Sequence, residues 1–271
     1  MPRMPEARAA IGVVGGSGLY SLLAEGSDQL TVDTPWGEPS GEISVGPLNG
    51  RSVAFVPRHG RNHRIPPHRI NYRANLWALR SLGVERVLAP CAVGSLRAEL
   101  APGSVVVCDQ MVNVSRGRAD TYFDGPRVAH LSAADPYCVE VRPLAVAALR
   151  AAGMDAHDAG TVLVVDGPRF ATRAESRLYA SWGADLLNMT QYPEVVLARE
   201  LGMCYTALAV VTDYDIGLED DPQVKPVTQQ QVFAMFSQAL TALRDALARL
   251  VALIPAQRGC ACGDVPRPVS H

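Results

Sequence analysis

Short, unbroken apolar runs alternate with amphipathic helical stretches along almost the whole chain, and nothing else in the sequence restricts its fold as much. Ile11–Val14, Arg51–Pro57, Arg86–Ala89, Ser104–Cys108, Gly160–Val165, Asp185–Leu187 and Tyr205–Thr212 read as strands. Most are apolar at consecutive rather than alternate positions, the pattern of strands covered on both faces. Between them, Asn71–Leu82, Pro143–Ala152, Thr172–Trp182, Glu194–Leu201 and Thr228–Leu253 carry helical spacing. In the first, Leu76, Trp77, Leu79 and Leu82 share one broad face and Gly83 supplies a stop; in the last, Thr228 is a candidate N-cap. This order predicts an α/β fold with a central mixed, mostly parallel sheet flanked by helices.

No internal repeat, low-complexity linker or break in composition divides the chain, so one domain is expected over residues 11–254. Residues 1–10 read as a flexible leader and 255–271 as a tail containing Pro, Gly and Cys. With 48% apolar and 19% charged residues over 271 positions, a sizeable core is expected rather than disorder. Lys and Arg number 25 against 27 Asp and Glu, a net charge of −2 that gives no footprint for a nucleic-acid backbone. The apolar runs, such as Ala207–Thr212, are too short to cross a bilayer. No signal-type hydrophobic segment precedes Gly15, so a cytoplasmic protein with neither membrane nor nucleic-acid partner is expected.

Candidate chemistry gathers where strands end. Gly15-Gly16-Ser17-Gly18 follows the first strand: it is either a structural turn or a loop whose N–H groups and Ser17 hydroxyl approach an anion. It has neither the Lys of a Walker loop nor G-x-G-x-x-G spacing. Arg58-His59 follows the strand ending at Pro57, with Arg61, His63, Arg64 and His68 close behind. That segment is either a solvated basic loop or part of an anion pocket shared with the glycine loop. Asp213 and Asp215 follow the most apolar strand, where a desolvated carboxyl could carry a proton; alternatively they open an acidic loop with Glu219, Asp220 and Asp221. Two residues apart, they would face one side of a continuing strand. Asn188-Met189-Thr190 follows another short strand; Met189 suits either the underside of a sugar or the core, and Thr190 can donate to an anion. Phe170, after Gly167-Pro168-Arg169, is either core or a stacking platform.

Of six cysteines, Cys91, Cys108, Cys138 and Cys204 sit singly in apolar surroundings, as small buried hydrophobes do. Cys260-Ala261-Cys262 lies beyond the last helix, as either a redox pair or two exposed thiols in a frayed end. A zinc site there would need further ligands, and only His271 is near in sequence.

Nine ordered blocks carry a wider pattern: residues 15–20 (GGSGLY), 57–60 (PRHG), 71–79 (NYRANLWAL), 92–96 (AVGSL), 167–170 (GPRF), 173–176 (RAES), 188–190 (NMT), 193–198 (PEVVLA) and 212–215 (TDYD). From about Ile11 to Leu253 the chain resembles the trimeric purine nucleoside phosphorylase family, and within it the S-methyl-5′-thioadenosine phosphorylases. The resemblance implies a phosphate site made by Ser17, Arg58, His59, Ala92 and Thr190. It implies Met189 against the ribose with Asn188 nearby, Phe170 on the base, and Asp213, assisted by Asp215, on the purine N7 and its exocyclic group. His130 would come from a neighbouring subunit of a homotrimer. The implied reaction is phosphorolysis of methylthioadenosine to adenine and 5-methylthioribose 1-phosphate. Phosphate would be the co-substrate, with no metal or other cofactor. Family members that prefer 6-oxopurines commonly carry Asn in place of Asp213, so Asp213 implies a 6-aminopurine. Cys91 departs from the Thr usual at its position. Gln229 and Phe233 depart from the usual apolar residue and Leu beside the 5′ group, which leaves adenosine, methylthioinosine or a 5′-halogenated nucleoside as alternatives.

Overall fold

Strands that are apolar on both faces must be covered on both, and the computed structural model, which describes residues 8–16, 18–23, 26–126, 128–216 and 225–265, shows how. The chain runs β1 (Ile11–Gly15), β2 (Asp28–Leu30), β3 (Ile43–Leu48), β4 (Arg51–Pro57), α1 (Tyr72–Ser81), β5 (Arg86–Ser95), β6 (Val105–Val106), β7 (Gln110–Asn113), α2 (Val141–Ala151), β8 (Ala156–His157), β9 (Thr161–Val164), α3 (Arg173–Ser181), β10 (Leu186–Asn188), α4 (Gln191–Glu200), β11 (Cys204–Asp213) and α5 (Gln229–Leu253). One mixed sheet joins the strands in the order β2-β3-β4-β1-β5-β10-β9-β7, with β11, β6 and β8 branching from β5. Pairs at the centre, β1 with β4 and β5 and β5 with β11, are parallel, whereas β10 meets β5 antiparallel. Two apolar clusters cover the faces. One packs Leu76 and Leu79 of α1 and Val195 and Leu197 of α4 against the sheet; the other packs Leu149 of α2 and Leu243, Leu247 and Leu250 of α5.

Caps fix several helix starts. Asn71 accepts from the N–H of Ala74 at 3.2 Å. Thr172 and Thr228 each form a reciprocal capping box, with Glu175 and Gln231. No helix among the described residues is long and apolar enough to cross a membrane.

Three expectations need correction. Residues 8–10 are not a loose leader: the N–H groups of Arg8 and Ala9 donate to the Leu82 carbonyl and Ala9 is buried, while residues 1–7 lie outside the described part. The strand expected to stop at Ala89 continues through Pro90 to Ser95. Pro90 is tolerated because β1 leaves β5 after Leu88, and the Pro90 carbonyl accepts from Arg58 instead of from a strand. The tail is not frayed over 259–265: a short 3₁₀ turn, Ala261–Gly263, buries Cys262, and the Gly259 N–H donates to Glu140.

Candidate active site

The site occupies a gap in the pairing of β5. On one side β11 accompanies β5 from Arg86 to Gly94; on the other, β1 covers only 86–88 and β10 only 94–95. Carbonyls in the gap turn to side chains: Pro90 accepts from Arg58 at 3.0 Å and Ala92 from Asn188 at 3.0 Å. A cavity of ≈ 420 Å³ opens here, between the ends of β1, β5, β10 and β11 and the first turns of α5. A gap between diverging strands is where open α/β sheets commonly hold ligands.

One end of the cavity is built for an anion. Arg58 lines it yet is only 2% exposed. Its Nε and Nη2 fork onto Glu194 at 2.8 Å each, Nη2 also donates to Val14 at 2.9 Å, and Nη1 donates to Pro90. Four of the five guanidinium N–H groups are thus engaged, leaving one on Nη1 for a ligand. Burial alone would lower the pKa of Arg58, but the charge and hydrogen bonds of Glu194 outweigh it and hold the guanidinium protonated. His59 stacks on His63 at 4.1 Å, and its Nδ1 lies 2.9 Å from the Ile65 carbonyl. That contact assigns the ring proton to Nδ1 and leaves Nε2 an acceptor. Burial, then the neighbouring His63 and Arg58, push the His59 pKa down to about 3, so its ring is neutral near pH 7. Thr190 is buried just ahead of α4, whose regular helical turns begin beyond the extended Tyr192. The basic segment divides: His63 and Arg64 line the cavity, whereas Arg61 is exposed and pairs with Glu42 at 3.2 Å. Gly16 also lines the cavity, and Ser17 lies outside the described residues.

The other end is acidic and partly desolvated. A bulge between Val211 and Asp213 shifts the β11 register and leaves Thr212 as the extra residue. Asp213 and Asp215 both line the cavity, but not by strand alternation: the strand ends at Asp213, and Asp215 is in a turn with φ +52°. Asp213 accepts from Thr212 Oγ1 at 2.7 Å and from the Asp215 N–H at 2.8 Å; burial outweighs both and raises its pKa. Asp215 accepts a short hydrogen bond from Ser176 Oγ, and burial pushes its pKa up to about 6. Gly94 gives them room, since a Cβ there would lie 3.0 Å from Asp213 Oδ1 and 3.2 Å from Asp215 Cβ.

Met189 and Phe170 line the cavity too, Phe170 being 38% exposed. Gly167, at φ +67°, lets the 165–170 loop lie on Met189, whose Sδ would be 2.5 Å from any Cβ. Asn188 lines the cavity and makes several bonds to the protein. Its Oδ1 accepts from the N–H groups of Thr190 and Gln191 at 2.7 Å each, and its Nδ2 donates to Ala92, so it clamps β10 and α4 to β5. Cys91 lines the wall as a thiol whose pKa burial raises to about 11. Gln229 and Phe233 of α5 close one rim, Phe233 edge-on to His63 at 5.5 Å. His130 is absent from this chain's own cavity; it is exposed on the 114–136 excursion and borders a separate cavity beside Cys260 and Cys262.

Sequence reasoning assigned no role to Glu194, Ser176 or Arg118. Glu194 is 0% exposed, and a single carboxylate among Val195, Val196 and Leu197 was the available signal. Arg118, on the excursion, donates to the carbonyls of Val165, Asp166, Met189 and Tyr192, joining the two loops that flank the cavity.

Known proteins resemble this chain along nearly its whole length. A family model described as the phosphorylase superfamily matches residues 10–252. An S-methyl-5′-thioadenosine phosphorylase of Mycolicibacterium smegmatis is 50% identical over 92% of this chain and 93% of its own. A purine nucleoside phosphorylase of Streptomyces coelicolor is 49% identical over 94% of each chain. The solved methylthioadenosine phosphorylase of Schistosoma mansoni in complex with adenine superposes with a TM-score of 0.87 and 33% identity, covering 94% of this chain and 95% of that one. Because the family model and these relatives span nearly the entire chain, including both ends of the cavity, the chain belongs to the phosphorylase superfamily.

Proposed function

We propose that the cavity holds inorganic phosphate and a 6-aminopurine nucleoside side by side and performs phosphorolysis of S-methyl-5′-thioadenosine, releasing adenine and 5-methylthioribose 1-phosphate. One observation carries the reading. A buried cationic end and a carboxyl of raised pKa face the same ≈ 420 Å³ cavity, with Met189 and Phe170 in its wall. The related proteins named above, two of them methylthioadenosine phosphorylases, support it.

Breaking an N-glycosidic bond builds positive charge on the ribose and negative charge on the departing base. Phosphate between Thr190, the remaining Arg58 N–H and His59 stabilises the first and then attacks C1′. Neutral His59 suits monohydrogen phosphate, because Nε2 can accept its single P–OH hydrogen. Protonated Asp213, its pKa raised by burial, donates to purine N7 while its other oxygen accepts from the 6-amino group, with Asp215 beside it in the same cavity. Met189 supports the sugar and Phe170 packs on the base. We further propose a cytoplasmic homotrimer, with no metal or organic cofactor in the reaction, in which His130 completes a neighbour's 5′ pocket.

Adenosine is a second reading, favoured by Gln229, whose amide at the rim can bond a 5′-hydroxyl. Turnover of methylthioadenosine, adenosine and methylthioinosine, each with and without phosphate, tests both. The expected result is phosphate-dependent release of adenine with formation of the sugar 1-phosphate. Phosphate-independent release, or preference for the 6-oxo substrate, would overturn the proposal.

A further inference from the structure

Four cysteines that the sequence scatters over 125 positions meet in space. Cys138 precedes α2, Cys204 opens β11, Cys260 precedes the C-terminal 3₁₀ turn and Cys262 lies within it. Their Sγ atoms all lie within 4.8 Å of one another, with Cys138 to Cys260 at 3.6 Å and Cys204 to Cys260 at 3.4 Å. All four are free thiols, so no pair is bonded. None lines the active-site cavity. Cys138 and Cys204 are therefore not isolated apolar residues, and the two ligands that the C-x-C pair lacked in sequence are supplied by the fold.

Four sulfurs this close together form one cluster that a single tetrahedral ion can bridge. With Zn–S bonds of about 2.3 Å, tetrahedral geometry sets sulfurs ~3.8 Å apart, and the two separations given above lie within a few tenths of that. An all-sulfur tetrahedral set selects a thiophilic ion over magnesium or calcium. We propose that Cys138, Cys204, Cys260 and Cys262 bind one zinc ion that fastens the C-terminal turn to the sheet and to α2. Binding forms four Zn–S bonds and releases the thiol protons to solvent. The complex carries a net charge of −2, and Arg199 is placed to offset it, its Nη1 lying 2.8 Å from Cys262 Sγ. A cavity of ≈ 400 Å³ lined by Tyr137, Arg199, Cys260 and Cys262 gives the ion a way in from the surface. Four protein ligands leave no open position, so the ion is structural and takes no part in the reaction.

The test uses the whole chain, purified without chelators. Elemental analysis should find about one zinc per chain. Stepwise modification of the thiols with a mercurial should release that zinc as the four cluster thiols react. Cys260→Ser/Cys262→Ser should lose at least nine-tenths of it, whereas Cys108→Ser should keep it. Should the double variant fail to fold, cobalt exchange into the unmodified protein decides instead. Thiolate-to-cobalt charge transfer and strong visible bands of a tetrahedral ion are expected. The proposal is overturned by a metal-free protein that takes up neither zinc nor cobalt, by iron in place of zinc, or by an intact mass reduced by the hydrogens of disulfides among these cysteines.

Discussion

Glu194→Gln separates the charge of Arg58 from most of its hydrogen bonds. Both residues are almost wholly inaccessible, at 2% and 0% side-chain exposure, so water cannot replace the lost partner. Gln keeps one oxygen for the fork and turns an amide N–H toward an N–H donor, while the Tyr205 hydroxyl, 2.8 Å from Glu194 Oε2, can rotate to accept. An uncompensated buried charge of this kind costs about 3–5 kcal/mol. For a chain of this size that is a fall in Tm of roughly 6–20 °C. Phosphate supplies a replacement for the missing negative charge at the remaining Arg58 N–H. Its affinity in the variant should therefore rise at least tenfold, about 1.4 kcal/mol. Calorimetric unfolding across a phosphate series, with titration calorimetry for Kd, measures both effects. The variant should start lower and gain more from phosphate than the unmodified protein. Equal or smaller phosphate stabilisation would refute the view that Glu194 neutralises an arginine belonging to the anion site.

Asp213→Asn removes the donated proton and should lower kcat for adenine release by about 10²–10⁴, with much smaller loss on a 6-oxo substrate; steady-state kinetics on both substrates checks it. Gly94→Ala drives a methyl against Asp213 and Asp215, and should cut kcat/KM well beyond its effect on Tm. Two groups set opposite pH slopes on stability. His59, pushed down to about 3 when folded, binds fewer protons than the unfolded chain, so stability falls as pH drops below 6.5 toward 3. Asp215, at about 6, binds more protons than the unfolded chain, so stability falls as pH rises from 3.8 to 6. Urea unfolding from pH 4 to 8 should show His59→Gln reducing the first slope and Asp215→Asn the second. Arg118→Met frees four loop carbonyls and should raise the nucleoside KM more than it lowers kcat, read by varying each substrate separately.

Sequence by itself determined the layered α/β order, because runs apolar at every position can be satisfied only between two covering layers, and helical spacing supplied the covers. Arg51–Pro57 and the start of α5 after Thr228 are found where the sequence places them, as strand boundaries and caps are local properties. Strand-end chemistry was legible in the same way: Arg58, His59, Asp213 and Met189 stand next to strand termini in sequence and reach one cavity in space. Its alternatives were not resolvable there, because a solvated basic loop and a buried anion site share one composition. Only tertiary structure settled that Arg58 is buried against Glu194, 136 positions away. It also settled that Asp213 and Asp215 converge through a bulge and a left-handed turn rather than by alternation. The cysteines show the limit most plainly. Each of Cys138 and Cys204 reads locally as a small hydrophobe, and the C-x-C pair reads as a loose end. Their meeting depends on how β11, α2 and the tail pack, which is a long-range outcome that no local pattern encodes.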